Sequence, residues 1–173
     1  VVFDSAHMGD REHRIYLQRN IETRVGELPP LMFEAWEIFG RYPIFLADGR
    51  IAFSGCDYWD VGSVCGIHVV GTEGERPSTA TGWPGDIPTD NFGSQILMMS
   101  DRGGNWDIYL MRADGSDLRQ LTDHPARDGL ATASPDGRHI AFLTDRDGTW
   151  SIYVMAMDGS GPRRLINLNG GYG

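Results

Sequence analysis

Two aspartates sit in matched segments of the chain, Asp86 in "WPGDIPTD" and Asp128 in "HPARDG". The segments align so that Trp83 meets His124, Pro84 meets Pro125 and Asp86 meets Asp128. Carboxylates recurring beside an indole or an imidazole suit a cation, or the Arg and Lys side chains of a protein partner. The competing reading is that each carboxylate caps a turn by accepting from nearby backbone N–H groups. The two cysteines, Cys56 and Cys65, lie in "SGCDYWDVGSVCGI". They are either a disulfide or two free thiols, since no matching Cys or His pair lies close enough in sequence for tetrahedral zinc.

Other chemistry-bearing stretches are weaker. "HMGDREH" (residues 7–13) gathers two His and several acids, but such a loop is more often simply solvated than metal-bound. "TDRDGTW" (residues 144–150) approaches the sialidase Asp-box S-x-D-x-G-x-T-W, one residue short between Gly148 and Trp150, and its sibling "SDRGGNW" lacks the Thr. Both read as hairpin loops, with Trp106 and Trp150 packing over turns and a sugar-stacking role as the alternative. One Asp pair in "DRDG" without a downstream carboxylate is a poor Ca²⁺ loop. The sequence has no G-x-S-x-G elbow, no H-E-x-x-H, no phosphate-binding Gly-rich loop and no Lys at all. No catalytic residue, metal or cofactor is therefore expected.

The totals narrow the partners. A net charge of −9, with all fifteen basic residues Arg, argues against nucleic acid or an anionic membrane, both of which reward clustered positive charge. No apolar run approaches a membrane span, so membrane insertion is not expected. The chain starts with Val rather than Met, which reads as a processed or excised piece. Twenty-three Gly and nine Pro among frequent β-branched and aromatic residues point to many short strands joined by tight turns.

The elements that position these residues are written twice. Residues 95–122 and 139–166 align without gaps at an offset of 44, and thirteen of their 28 positions are identical. A weaker copy starts at Ile51, where "IAFSGC" and "CGIHVVGTEG" bracket four extra residues, and a fainter one opens the chain with "VVFDS" and "HRIYLQRN". The Ile leading each second apolar run falls at Ile15, Ile67, Ile108 and Ile152. Runs of five to seven apolar residues punctuated by Gly or Asp-Gly are strand and turn chemistry, and a period of 40–50 residues built only of strands marks a propeller blade. Residues 29–40, "PPLMFEAWEIFG", are read as a short helix or an irregular connection between blades.

The last copy resembles the TolB-type, WD40-like β-propeller repeat. It carries "SPDGR" at 134–138, "IAF" at 140–142, "IYVM" at 152–155, the Asp158–Gly159 turn and "RRL" at 163–165. The resemblance implies an all-β propeller of about four four-stranded blades, near residues 1–28, 41–80, 86–122 and 128–167, in one domain. The first blade lacks its innermost strand. The frame fits a piece of a larger propeller, a four-bladed ring left open, or a blade completed by another chain. Such propellers serve as binding and docking platforms in many settings, with ligands at the mouth of the central channel, where Trp83, Asp86, His124 and Asp128 would lie.

In a blade Cys56 ends the second strand and Cys65 begins the third, so the two face each other across a hairpin and a disulfide is expected. A disulfide places the protein in an oxidising compartment: periplasm, cell surface or medium. The favoured reading is a non-catalytic extracytoplasmic module that binds another protein or further copies of itself. The alternatives are the accessory propeller of a hydrolase whose catalytic domain lies elsewhere, and a carbohydrate-binding surface protein.

Overall fold

A computed structural model describes residues 1–5, 13–18, 38–57, 63–73 and 75–168. The described residues hold fourteen strands and no helix. Strands β1 (Val2–Ser5) and β2 (Arg14–Leu17) form a two-stranded sheet. Three four-stranded antiparallel meanders follow. The first is β3 (Ile38–Phe45), β4 (Ile51–Asp57), β5 (Val64–Val70) and β6 (Ser78–Thr79). The second is β7 (Ile87–Phe92), β8 (Gln95–Ser100), β9 (Asp107–Arg112) and β10 (Arg119–Gln120). The third is β11 (Asp128–Ala133), β12 (His139–Thr144), β13 (Ser151–Ala156) and β14 (Arg163–Asn167).

Adjacent sheets meet chiefly through their first strands. β3 lies against β1 and β2, β7 against β3, and β11 against β7 and β8. These are the blades of a propeller, with β3, β7 and β11 innermost. The stretch read as a helix or connection is different at its end: Ile38–Gly40 begin β3, where the run continues into the β-prone Tyr42–Phe45 segment and pairs with β4. Residues 29–37 lie outside the described residues.

Three apolar clusters fill the gaps between sheets. Ile15 of the first sheet packs with Ile51, Phe53 and Val70 of the second. Ala52, Ile67 and Val69 on the far face of that sheet pack with Ile96, Met98, Tyr109 and Met111 of the third. Leu97, Ile108 and Leu110 then pack with Ile140, Phe142, Tyr153 and Met155 of the fourth. Each middle sheet is thus buried on both faces, which is why β4 and β8 run apolar without alternation. β12 alternates instead, with Ile140 and Phe142 buried and Ala141 and Leu143 half-buried, because no described sheet covers its far side.

The Ser-Pro-Asp-Gly turn shows how tightly sequence and packing agree. Gly137 has φ 67° and donates its N–H to the Ser134 carbonyl at 2.8 Å. Asp136 Oδ1 accepts from Ser134 Oγ at 2.6 Å and from Arg138 N at 3.1 Å. A Cβ at Gly137 would lie 2.1 Å from the Phe92 ring of the preceding blade, so both the left-handed φ and the close approach require Gly.

One core position departs from the repeat. The residue after each leading Ile is Tyr16, Tyr109 and Tyr153 in three copies and His68 in the other. His68 is fully buried and stacked on Phe53, and burial lowers its pKa below the usual imidazole value. The unfolded chain then takes up a proton at His68 before the folded one does. Its contribution to stability is therefore intact above about pH 6.5 and declines as pH falls below that. The slope is at most about 1.4 kcal/mol per pH unit. Urea midpoints between pH 7.5 and 5 should fall for the native protein and fall measurably less for His68→Tyr, the residue the other copies carry.

Candidate functional site

Meandering strands put loops at alternate ends, so each blade contributes two loops to each rim. At one rim the connections between blades meet the loops that join second and third strands. Trp83 Nε1 donates to Asp101 Oδ1 at 2.7 Å, Asn105 Nδ2 donates to the carbonyls of His124 and Ala126, and Arg127 bonds Asp145 through N and Nε. Arg127 also lies over the Trp150 ring, 5.1 Å from its centroid. The bonds from Arg127 hold the Asp145 carboxyl below the usual carboxylate range, the backbone N–H being the largest cause. This rim exposes Trp83 and Trp150, 44% and 40% accessible.

The structure separates the four residues expected at a channel mouth. Trp83 and His124 are exposed on the rim. Asp86 and Asp128 are fully buried. Asp86 accepts from Ser100 Oγ at 2.6 Å and pairs with Arg102 Nη2. Asp128 Oδ2 accepts from Arg146 Nη2 at 2.8 Å. Each guanidinium also donates Nε to the hydroxyl of Ser100 or Thr144 and lies over a ring, Tyr109 or Tyr153. Neither carboxylate is presented at an open mouth, and neither makes the backbone turn cap that was the competing reading. Each is engaged by the arginine two residues past the end of the second strand. A bare carboxylate in that position would lose its hydration without replacement, so an ion pair with further hydrogen bonds is the arrangement burial permits. The signal was present in the repeat, since Arg102/Arg146 and Tyr109/Tyr153 are identical pairs at the offset of 44.

A feature with no sequence signature lies along the inner strands. Each has one extra residue at the same height, between Arg41 and Ile44, between Pro88 and Asp90, and between Gly129 and Thr132. At two of these bulges a non-glycine residue takes positive φ, Tyr42 at 56° and Leu130 at 48°. Both are exposed, at 50% and 62%. Such backbone costs about 1–3 kcal/mol and persists only where neighbours over-determine it. Here they do: Asp4 Oδ1 accepts from Tyr42 N while Oδ2 faces His13 Nδ1 at 2.7 Å. Asp90 Oδ2 accepts from Thr132 Oγ1 at 2.6 Å and Ala133 N at 2.9 Å. Asn91 Nδ2 donates to the Phe45 carbonyl at 2.6 Å. The bulges open a groove of about 390 Å³ along the inner strands, lined by Tyr42, Pro43, Ile87, Pro88, Met99 and Leu130.

Cys56 and Cys65 are bonded, directly opposite each other in the β4–β5 ladder with Cα atoms 4.0 Å apart. Residues 58–62, and the rest of the "HMGDREH" stretch apart from His13, lie outside the described residues. No group of three or more His, Cys, Asp or Glu with metal-binding geometry occurs among the described residues. Reducing the disulfide frees a closed loop of about ten residues and should lower stability by about 2–3 kcal/mol. Urea titrations with and without dithiothreitol read this directly. A shift of under about 0.5 kcal/mol would show that the hairpin is held by its ladder alone.

The family model of the TolB beta propeller domain matches residues 82–172. Among solved structures, a protein of Agrobacterium tumefaciens assigned as TolB aligns with TM-score 0.65 at 23% identity, covering 80% of this chain and 50% of that one. TolB from Acinetobacter baumannii aligns with TM-score 0.72 at 20% identity over 96% of this chain and 40% of its own. Puromycin hydrolase, as the S511A mutant complexed with PGG, aligns with TM-score 0.66 at 17% identity over 91% of this chain and 27% of its own. At these identities the likeness is one of fold, and the chain spans half or less of each of the three. No curated protein matches it in sequence.

Proposed function

Because this chain belongs to the TolB β-propeller domain family, we propose that it is a non-catalytic docking module that holds a protein partner on its axial groove and tryptophan-bearing rim. The observation that carries this reading is the concentration of exposed apolar side chains there. Tyr42, Trp83, Leu130 and Trp150 are all accessible, two of them held out on strained bulges. Exposed apolar groups that a fold maintains at a cost in backbone energy mark contact surfaces rather than accidents of composition. The net charge of −9 and the engagement of Arg102, Arg127 and Arg146 with internal carboxylates favour a protein over an anionic polymer. No helix among the described residues is long and apolar enough to cross a membrane. The Cys56–Cys65 bond supports an oxidising compartment such as the periplasm or cell surface.

A photo-cross-linking residue placed at Trp83, Tyr42 or Leu130 tests the reading against the same residue at Asp117 or Asp158 on the opposite rim. One discrete adduct from the first set and none from the second is the expected result. Equal capture from both rims, or none from either, would reject it. The second reading, an accessory propeller fused to a hydrolase, is favoured by the likeness to puromycin hydrolase, of which this chain spans 27%. A G-x-S-x-G elbow elsewhere in the full gene would support it.

A further inference from the structure

One row of residues crosses each four-stranded sheet just before the leading Ile of its third strand, and the second sheet fills that row differently. In the third sheet the row is Asp86, Ser100 and Asp107, and in the fourth it is Asp128, Thr144 and Ser151. The carboxylates tie strands together near the tryptophan rim. Asp86 accepts from Ser100 and Arg102, and Asp128 from Arg146. Asp107 accepts from Thr122 Oγ1 at 3.1 Å and Gln120 Nε2 at 3.2 Å. In the second sheet the row is Gly40, Gly55 and Gly66. Glycine has no side chain to make such bonds, and the packing admits none. A Cβ at Gly40 would run into the Phe53 ring, and at Gly55 or Gly66 into the carbonyl of Phe39 or Thr81.

One residue nearer the rim, Cys56 and Cys65 are bonded. The hairpin they close is four residues longer than those of the other two sheets. The covalent bond thus stands beside the glycine row, where the other sheets have hydrogen-bonded carboxylates. It reaches the docking groove through β3: Phe39 pairs with Cys56, Arg41 with Ser54, and the bulge at Tyr42 comes next. The positive φ of Tyr42 persists only while its neighbours hold it. Both cysteines are half-buried and share a cavity of about 190 Å³ with exposed Arg41 and Tyr42, which gives an attacking thiolate a way in. We propose that the Cys56–Cys65 bond is a reducible clamp on the groove. Its reduction loosens the rim end of the second sheet, and with it the Tyr42 wall, while the third and fourth sheets stay closed on their carboxylates.

A dithiol supplies both electrons. Its thiolate attacks one sulfur and the other cysteine leaves as a thiolate. The second thiol of the reductant then resolves the mixed disulfide, so that the reductant ends as a disulfide and both cysteines as thiols. The proposal rests on the docking reading and names its regulation. The test is amide hydrogen exchange on the full natural chain as isolated, after dithiothreitol, and after reoxidation. Reduction should speed exchange at residues 39–42 and 64–67 at least about tenfold more than at residues 96–100 and 140–144, because only the first set loses a local restraint. Reoxidation should restore the slow rates. Cys56→Ser/Cys65→Ser should match the reduced protein and be indifferent to dithiothreitol. Acceleration by one common factor in all sheets would reduce the bond to a source of global stability and overturn the proposal. Unchanged exchange at residues 39–42, or a response to dithiothreitol that survives in the double variant, would overturn it too. No partner enters this measurement, so its failure leaves the rim cross-linking result standing. Failed cross-linking would strike the docking reading while exchange still decides the clamp.

Discussion

Replacing Asp86 by Ala should destabilise the protein by about 3 kcal/mol or more, out of all proportion to the loss of one surface-type carboxylate. The reason is that the carboxylate has no exposed surface and Arg102, its partner, is only 22% exposed. Removing one member leaves the other charge largely desolvated and uncompensated, which typically costs about 3–5 kcal/mol. Ser100 Oγ loses its acceptor at the same time. The double replacement Asp86→Ala, Arg102→Met should cost less than Asp86→Ala alone, because removing both charges removes the penalty along with the attraction. Chemical denaturation of the two variants decides the matter. A single-variant loss within about 0.5 kcal/mol would mean that the pair is solvated and the blade is held by other contacts.

The second large effect belongs to Phe142. Its ring is 2% exposed, lies 6.0 Å from the Tyr153 ring and fills the space between the third and fourth blades. Phe142→Ala should cost about 3–5 kcal/mol through lost transfer energy and a cavity that two sheets cannot both close. Leu165→Ala provides the contrast. Leu165 occupies the place of half-buried Leu121 in the repeat but is 54% exposed on β14, and its loss should change stability by less than about 0.5 kcal/mol. Identical positions in the repeat therefore predict different energies, according to whether a neighbouring sheet is present.

Much of the fold was legible because the repeat constrains it twice over. The Ser-Pro-Asp-Gly turn, the apolar strand after it and the Asp-Gly turn before β14 each obey local backbone rules, and the strand and the Asp-Gly turn recur in the second copy, where NFGSQ stands in place of the first turn. The disulfide was legible for the same reason, since strand assignment alone places Cys56 opposite Cys65. The start of β3 was not, because "MFEAWEIFG" carries helix-compatible residues and only pairing with β4 decides its last three as strand. The site was legible only in outline. Asp86 and Asp128 stand out in sequence as lone carboxylates at loop ends, yet their orientation depends on Arg102 and Arg146, sixteen and eighteen residues later. The bulges at Tyr42 and Leu130 leave no mark at all. Asp4 holds the Tyr42 N–H, and Asp90 holds Thr132 and Ala133 just past Leu130, both from neighbouring blades, and no local pattern records contacts of that kind.

The docking reading and both stability effects stand on one physical statement: successive sheets share apolar faces and hold each other in place. A double-mutant cycle across the gap between the third and fourth blades tests it most directly, pairing Ile108→Ala with Phe142→Ala, two members of one buried cluster on different sheets. The expected result is a coupling energy of about 0.5–3 kcal/mol in the denaturation free energies. Strictly additive losses would contradict it, since two sheets that do not share a face have no energy in common to lose.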